Sequence, residues 1–172
     1  DRGINYVDSG VAEPRDPLNG GGGLVVTPGH GTRTLGALCG NLPGIYIGVC
    51  PTVPVVPYRV TNGVMLSGQT ILNAANAIMD AVDRNLADVI SISLGVQSIV
   101  GNVKQMHALG RAVDHAYERG VIIVCAAGQT DDAPQLVALR EGVVGFVDQQ
   151  ARADRLDGAE DRGGRFHGRQ RP

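Results

Sequence analysis

The chain has 172 residues, 43% of them hydrophobic and 19% charged, with a formal net charge of -2 at pH 7. That length and balance fit one ordinary globular domain with a sizeable core. The single lysine, Lys104, and the near-neutral charge exclude the basic footprint of a nucleic-acid binder and a polybasic membrane anchor.

No apolar run of about 18 residues occurs, so no membrane-spanning helix is predicted. The first residues, DRGINYVDSG, lack the basic start and apolar stretch of a signal peptide, and the start at Asp1 suggests a mature form or a fragment. Three cysteines, Cys39, Cys50 and Cys125, make an odd number without a Cys-x-x-Cys pair. This argues against a structural zinc site or a complete disulfide framework, and the cysteines are expected as small buried hydrophobes. No metal and no cofactor are expected.

In chain order, residues 3–8 alternate and read as a strand ending at Asp8. Residues 11–23 follow with two prolines and four consecutive glycines, which cannot sustain a periodic element and predict a loop. A phosphate-binding loop is excluded at those glycines, because no Gly-Lys-Ser/Thr follows them. Small and apolar residues allow a helix from His30 to Cys39, closed by Gly40 and Asn41. Residues 53–60 read as an edge or irregular strand because of their prolines.

Ile71, Ala74, Ala75, Ile78, Ala81 and Val82 recur at helical spacing and predict a helix over 67–85. The β-branched run 87–95, ended by Gly95, suits a strand covered on both sides. A second helix is predicted over 102–120 from Val103, Met106, Leu109, Val113, Ala116 and Tyr117, with Gly120 as its C-terminal cap. On it, His115 reads as part of an exposed cluster with Asp114 and Glu118. Residues 121–128 form a further buried strand. The alternation of strands and helices predicts an α/β fold with a mainly parallel sheet.

In open parallel sheets, ligands lie outside the carboxyl ends of the strands. Asp8, Ser93 to Gly95 and 126–129 are thereby expected around one crevice. Asp8 at a strand end and His30 at a helix start are the residue types of a general-base pair. A carboxylate accepts one imidazole N–H, fixes the tautomer and stabilises the imidazolium that forms. Gly29 and Gly31 leave room for substrate beside the ring.

Several segments carry a family resemblance. VDSG (7–10) resembles the aspartate motif of the subtilases, the subtilisin-like serine peptidases, and GHGT (29–32) resembles their histidine motif. GVCP (48–51), ADVISISLG (87–95) and GVIIVCAAGQ (120–129) are similar to later segments of that family, in the same order. The resemblance covers about residues 3–130 and implies a three-layer fold with a mainly parallel sheet, incomplete on its C-terminal side. It implies serine endopeptidase chemistry on a polypeptide substrate, and secretion is suspected from the family alone. Asp8 would orient the base and His30 would be the base. Ser93, Leu94 and Gly95 would line the groove by strand addition to the peptide. Ala126, Ala127 and Gly128 would line the pocket for the residue before the scissile bond.

Two departures matter. Gln129 stands where the family has asparagine as oxyanion donor; its amide still donates, but one more methylene shifts the donor, and losing such a donor costs about 3–4 kcal/mol of barrier. Arg33 follows GHGT where a small residue is common, which alters the groove rim.

The nucleophilic serine, expected downstream in a Gly-Thr-Ser context, is not among these residues. The five serines are Ser9, Ser67, Ser91, Ser93 and Ser98, and none follows Ser98. The chain as given is therefore expected to be inactive, with no nucleophile.

Residues 133–172 hold seven of the fourteen arginines, and from Gln149 onward apolar periodicity nearly vanishes. This divides the chain into a subtilisin-like part, 1–132, and an atypical tail, 133–172, out of frame or disordered. A truncated pseudoenzyme, a fragment and a reading-frame error each account for the tail; the frame error is favoured, and translation of the gene in all frames tests it. The rival function is a non-catalytic peptide-binding module that keeps the groove without the chemistry.

Overall fold

The computed structural model describes residues 3–8, 13–14, 29–96, 101–126 and the backbone of 143–146. Two long helices form its centre, α2 (Gln69–Asp83) and α3 (Val103–Glu118). Both carry the predicted apolar stripe. Ile71, Ala74, Ala75 and Ile78 of α2 meet Met106, Leu109, Ala112, Val113 and Ala116 of α3 in one buried cluster. Alanines at the contact let the helices approach closely, and each helix loses an apolar face to its neighbour. Across that seam His115 of α3 bonds through Nε2 to Oδ1 of Asp83 on α2 at 2.7 Å. The expected exposed cluster around His115 is thus replaced, for this ring, by an inter-helix contact.

Nine short strands accompany the helices, among the described residues: β1 (Ile4–Asn5), β2 (Asn41–Leu42), β3 (Tyr46–Ile47), β4 (Tyr58–Arg59), β5 (Met65–Leu66), β6 (Val89–Ile92), β7 (Gly95–Val96), β8 (Ile122–Ala126) and β9 (Val143–Phe146). Parallel pairs are β1 with β4, β5 with β7, β6 with β8 and β8 with β9; β2 with β3 is antiparallel. The fold is α/β with mainly parallel strands and an incomplete sheet. No helix among the described residues is long and apolar enough to cross a membrane.

The sheet β6–β8–β9 is in register through Val89 opposite Ile122 and Ile92 opposite Cys125. Ile123 and Cys125 point into the helical cluster, whereas Val89 is 55% and Ile122 49% exposed. The expected cover on both faces of these strands is therefore found on one face among the described residues.

Four strands arise without a periodic signal. β2 and β3 form a tight hairpin, with Ile45 N–H donating to the Leu42 carbonyl at 3.0 Å and Gly44 at φ 75. β5 pairs with β7 through only two residues. β9 lies beyond residue 132 and adds a parallel strand to β8.

Tyr58 shows how the first strand pair is tied to α2. Its hydroxyl donates to Oδ2 of Asp80 at 2.6 Å, and burial, with that hydrogen bond and the carboxylate charge behind it, pushes the phenol well above its ordinary 10.0. A phenol whose folded pKa is raised stabilises the fold fully below its unfolded pKa and loses that contribution as pH rises beyond it. Unfolding free energy is expected to fall above about pH 10. Tyr58→Phe should flatten that decline and cost about 1–2 kcal/mol at pH 7, measured by urea melts across pH.

Candidate functional site

The short first helix, α1 (His30–Cys39), starts where Gly29 takes φ 74 and ψ 11, a left-handed turn that suits glycine. The first helical bond runs from Arg33 N–H to the Gly29 carbonyl at 3.0 Å. Gly29 is buried and His30 half-buried, so the ring leaves the backbone at the rim of the described fold. Nε2 of His30 lies 2.8 Å from the carbonyl oxygen of Ser93, 63 residues away in sequence. A carbonyl only accepts, so Nε2 is the donor; in the neutral ring this leaves Nδ1 as the acceptor.

Ser93 sits between β6 and β7, where the strand leaves the sheet. Leu94 is half-buried, and Gly95 N–H donates to the Val64 carbonyl at 2.8 Å. One edge of the Ser93 to Gly95 segment is thereby occupied by the chain around β5. Leu94 and Ala126 meet in a small apolar pocket, with Leu66, Leu109 and Cys125 in its wall. Two pairs of predicted residues are thus brought together, His30 with Ser93 and Leu94 with Ala126. Ala127, Gly128 and Gln129 lie outside the described residues.

Asp8 is placed otherwise. The side-chain carbonyl of Asn5 accepts from Val7 N–H at 2.9 Å and from Asp8 N–H at 3.1 Å, which ends β1 in a side-chain-closed turn. The same amide donates to Oδ2 of Asp8 at 3.3 Å. That oxygen also pairs with Arg59, and Arg59 reaches Asn62 Oδ1 at 2.6 Å. Asp8 makes no hydrogen bond or ion pair with His30; its carboxylate faces Arg59, whose side chain is 12% exposed against 43% for Asp8. Screening at the exposed end limits what this pair adds to stability.

Arg59 is the residue beside the candidate site that sequence reasoning missed. The available signal was a lone charge inside the apolar run VPVVPYRV; the register that sets Arg59 opposite Asn5 is seen only in the structure. Cys125 lines the same pocket as Leu94 and Ala126, but it is buried and burial pushes its thiol up, away from the reactive thiolate. Among the described residues no three His, Cys, Asp or Glu side chains converge as a metal site would require.

The model of the subtilase family matches residues 24–152. The chain belongs to that family. Among curated subtilase relatives, Subtilisin DY of Bacillus licheniformis is 31% identical over 138 residues, which cover 74% of this chain and 47% of that protein. Thermitase of Thermoactinomyces vulgaris is 37% identical over 140 residues, 73% of this chain and 46% of the relative. The major intracellular serine protease of Bacillus subtilis (strain 168) is 36% identical over 110 residues, 62% and 31%. This subtilase chain therefore spans less than half the length of these relatives. That family is one of serine peptidases, which are hydrolases.

Proposed function

We propose that these residues are the base-bearing part of a subtilisin-like endopeptidase catalytic domain. His30 is the general base, Asp8 its orienting carboxylate and Gln129 an oxyanion donor. Ser93, Leu94 and Gly95 bind the substrate backbone, and Ala126, Ala127 and Gly128 shape the pocket before the scissile bond. The observation that carries this reading is the 2.8 Å bond from His30 to Ser93, which joins the base to the groove across 63 residues. The subtilase match over 24–152 supports it from an independent direction.

The chemistry requires a serine hydroxyl to attack the peptide carbonyl while imidazole takes its proton. To do so His30 must release the Ser93 carbonyl and free Nε2 as an acceptor. Nδ1–H must then face Asp8, whose Oδ2 pairs with Arg59 in this structure. No serine follows Ser98, so these 172 residues supply no nucleophile of their own. Ser93 serves the groove through its backbone and not through its hydroxyl.

A fluorophosphonate probe tests this directly. The 172-residue chain is expected to remain unlabelled, and stoichiometric labelling that heat denaturation abolishes would overturn the assignment. Peptide binding without labelling, measured by fluorescence anisotropy, would favour the non-catalytic peptide-binding module.

A further inference from the structure

The far end of α1 carries a second chemical site. The hairpin β2–β3 returns the chain to the C-terminus of the helix, where three backbone amides satisfy carbonyls that no helical turn follows. Gly48 N–H donates to Gly40 O at 2.7 Å, Val49 N–H to Ala37 O at 3.1 Å and Cys50 N–H to Leu38 O at 2.7 Å. Gly48 permits this approach: a Cβ there would meet the Gly40 nitrogen and the Leu38 carbonyl oxygen, both at 2.8 Å.

The last of these bonds fixes two cysteines beside each other. Cys39 directly follows Leu38, and its α-carbon lies within one peptide unit of the oxygen that Cys50 N–H bonds at 2.7 Å. Peptide geometry then keeps the α-carbons of Cys39 and Cys50 less than about 7 Å apart. That separation is compatible with a disulfide. Cys39 is half-buried and Cys50 exposed, so both are open to a small thiol reagent, whereas Cys125 is buried in β8.

We propose that Cys39 and Cys50 are a redox modification site that forms an intramolecular disulfide with a low-molecular-weight disulfide such as oxidised glutathione. The thiolate of the exposed Cys50 attacks one glutathione sulfur, forms a mixed disulfide and expels a glutathione thiolate. The Cys39 thiolate then attacks the Cys50 sulfur and expels the second glutathione. Two protein thiols are oxidised, one glutathione disulfide is reduced to two thiols, and both protons go to solvent or the leaving thiolates. The product bond clamps the helix that begins at His30 to the hairpin that follows it.

The reduced 172-residue chain, incubated with oxidised glutathione and digested with trypsin, should release residues 34–59 as one peptide lighter by two hydrogens. Cleavage after Tyr46 should leave the two halves of that peptide joined until reductant is added. Cys125→Ser should leave the result unchanged, and Cys50→Ser should yield only a glutathione adduct on Cys39. The cyclic product should form in higher yield from native chain than from chain in urea. Recovery of the peptide with two glutathione adducts, a disulfide involving Cys125, or equal yields in native buffer and urea would each overturn the proposal.

Discussion

Replacing Ile71 with alanine is expected to lower the unfolding free energy by about 3 kcal/mol. Ile71 is 0% exposed and stands on the α2 face that meets α3. The lost atoms forfeit their transfer free energy, and the cavity they leave closes only in part, because Ala74 and Ala75, one turn further along the same helix face, have little side chain with which to fill space. Native domains are stable by only about 5–15 kcal/mol, so that is a large effect. The control is Val49→Ala, at a residue 85% exposed in the loop after β3, with an expected change within about 0.5 kcal/mol. Urea melts of both variants separate the cases. Equal shifts in midpoint would mean that the α2–α3 seam is not the packed centre of the fold.

The helices were legible because burial and period coincide in them. The stripe Ile71, Ala74, Ala75, Ile78, Ala81 and Val82 predicts α2, and every one of those residues is buried. Strands β6 and β8 were legible as apolar runs, although half of their side chains lie on a less covered face. The hairpin β2–β3 was not legible, because Leu42, Tyr46 and Ile47 are all exposed and show no alternation between inside and outside. A two-residue strand has too few positions for a period of two to declare itself.

The candidate site divides in the same way. Ser93 was legible as a candidate from the strand-end rule and the family motif, His30 from its helix start and the family motif, and the structure brings His30 Nε2 within 2.8 Å of the Ser93 carbonyl oxygen. The partner of Asp8 was not, since an ion pair between β1 and β4 depends on register, and no local pattern encodes register between strands 54 residues apart, Ile4 opposite Tyr58. The cysteines were expected as buried hydrophobes. Only Cys125 is buried; Cys39 and Cys50 stand at a helix end whose carbonyls are served by a returning loop, a tertiary contact that composition does not reveal.

The second large effect is expected at Asn73, a polar residue 8% exposed on the otherwise apolar face of α2. Its amide nitrogen donates to the Val60 carbonyl at 3.1 Å and the Tyr6 carbonyl at 3.3 Å, while its oxygen accepts from Gln69 Nε2 at 3.2 Å. Those two carbonyls lie just past the ends of β4 and β1, where the strand ladder stops. Tyr6 stands two residues before Asp8, and Val60 directly follows the Arg59 that pairs with it. One side chain therefore fastens both strands of the candidate site to the central helix. Asn73→Ala removes the donor and leaves two carbonyls to find water, at an expected cost of about 2–4 kcal/mol. Exchange of the Tyr6 amide, which bonds the Arg59 carbonyl at 2.9 Å, should quicken beyond the global effect. Asn73→Asp gives the sharper test, because an ionised carboxylate only accepts and would face two carbonyl oxygens. Its folded pKa must therefore rise, so the penalty is greatest above the ordinary carboxylate range near pH 4 and shrinks as pH falls and the acid regains a donor. Asn73→Asp should be less stable than Asn73→Ala at pH 7 and should close that gap toward pH 4, read from urea midpoints of the two variants side by side. A gap independent of pH would remove the donor role from Asn73 and leave only its volume.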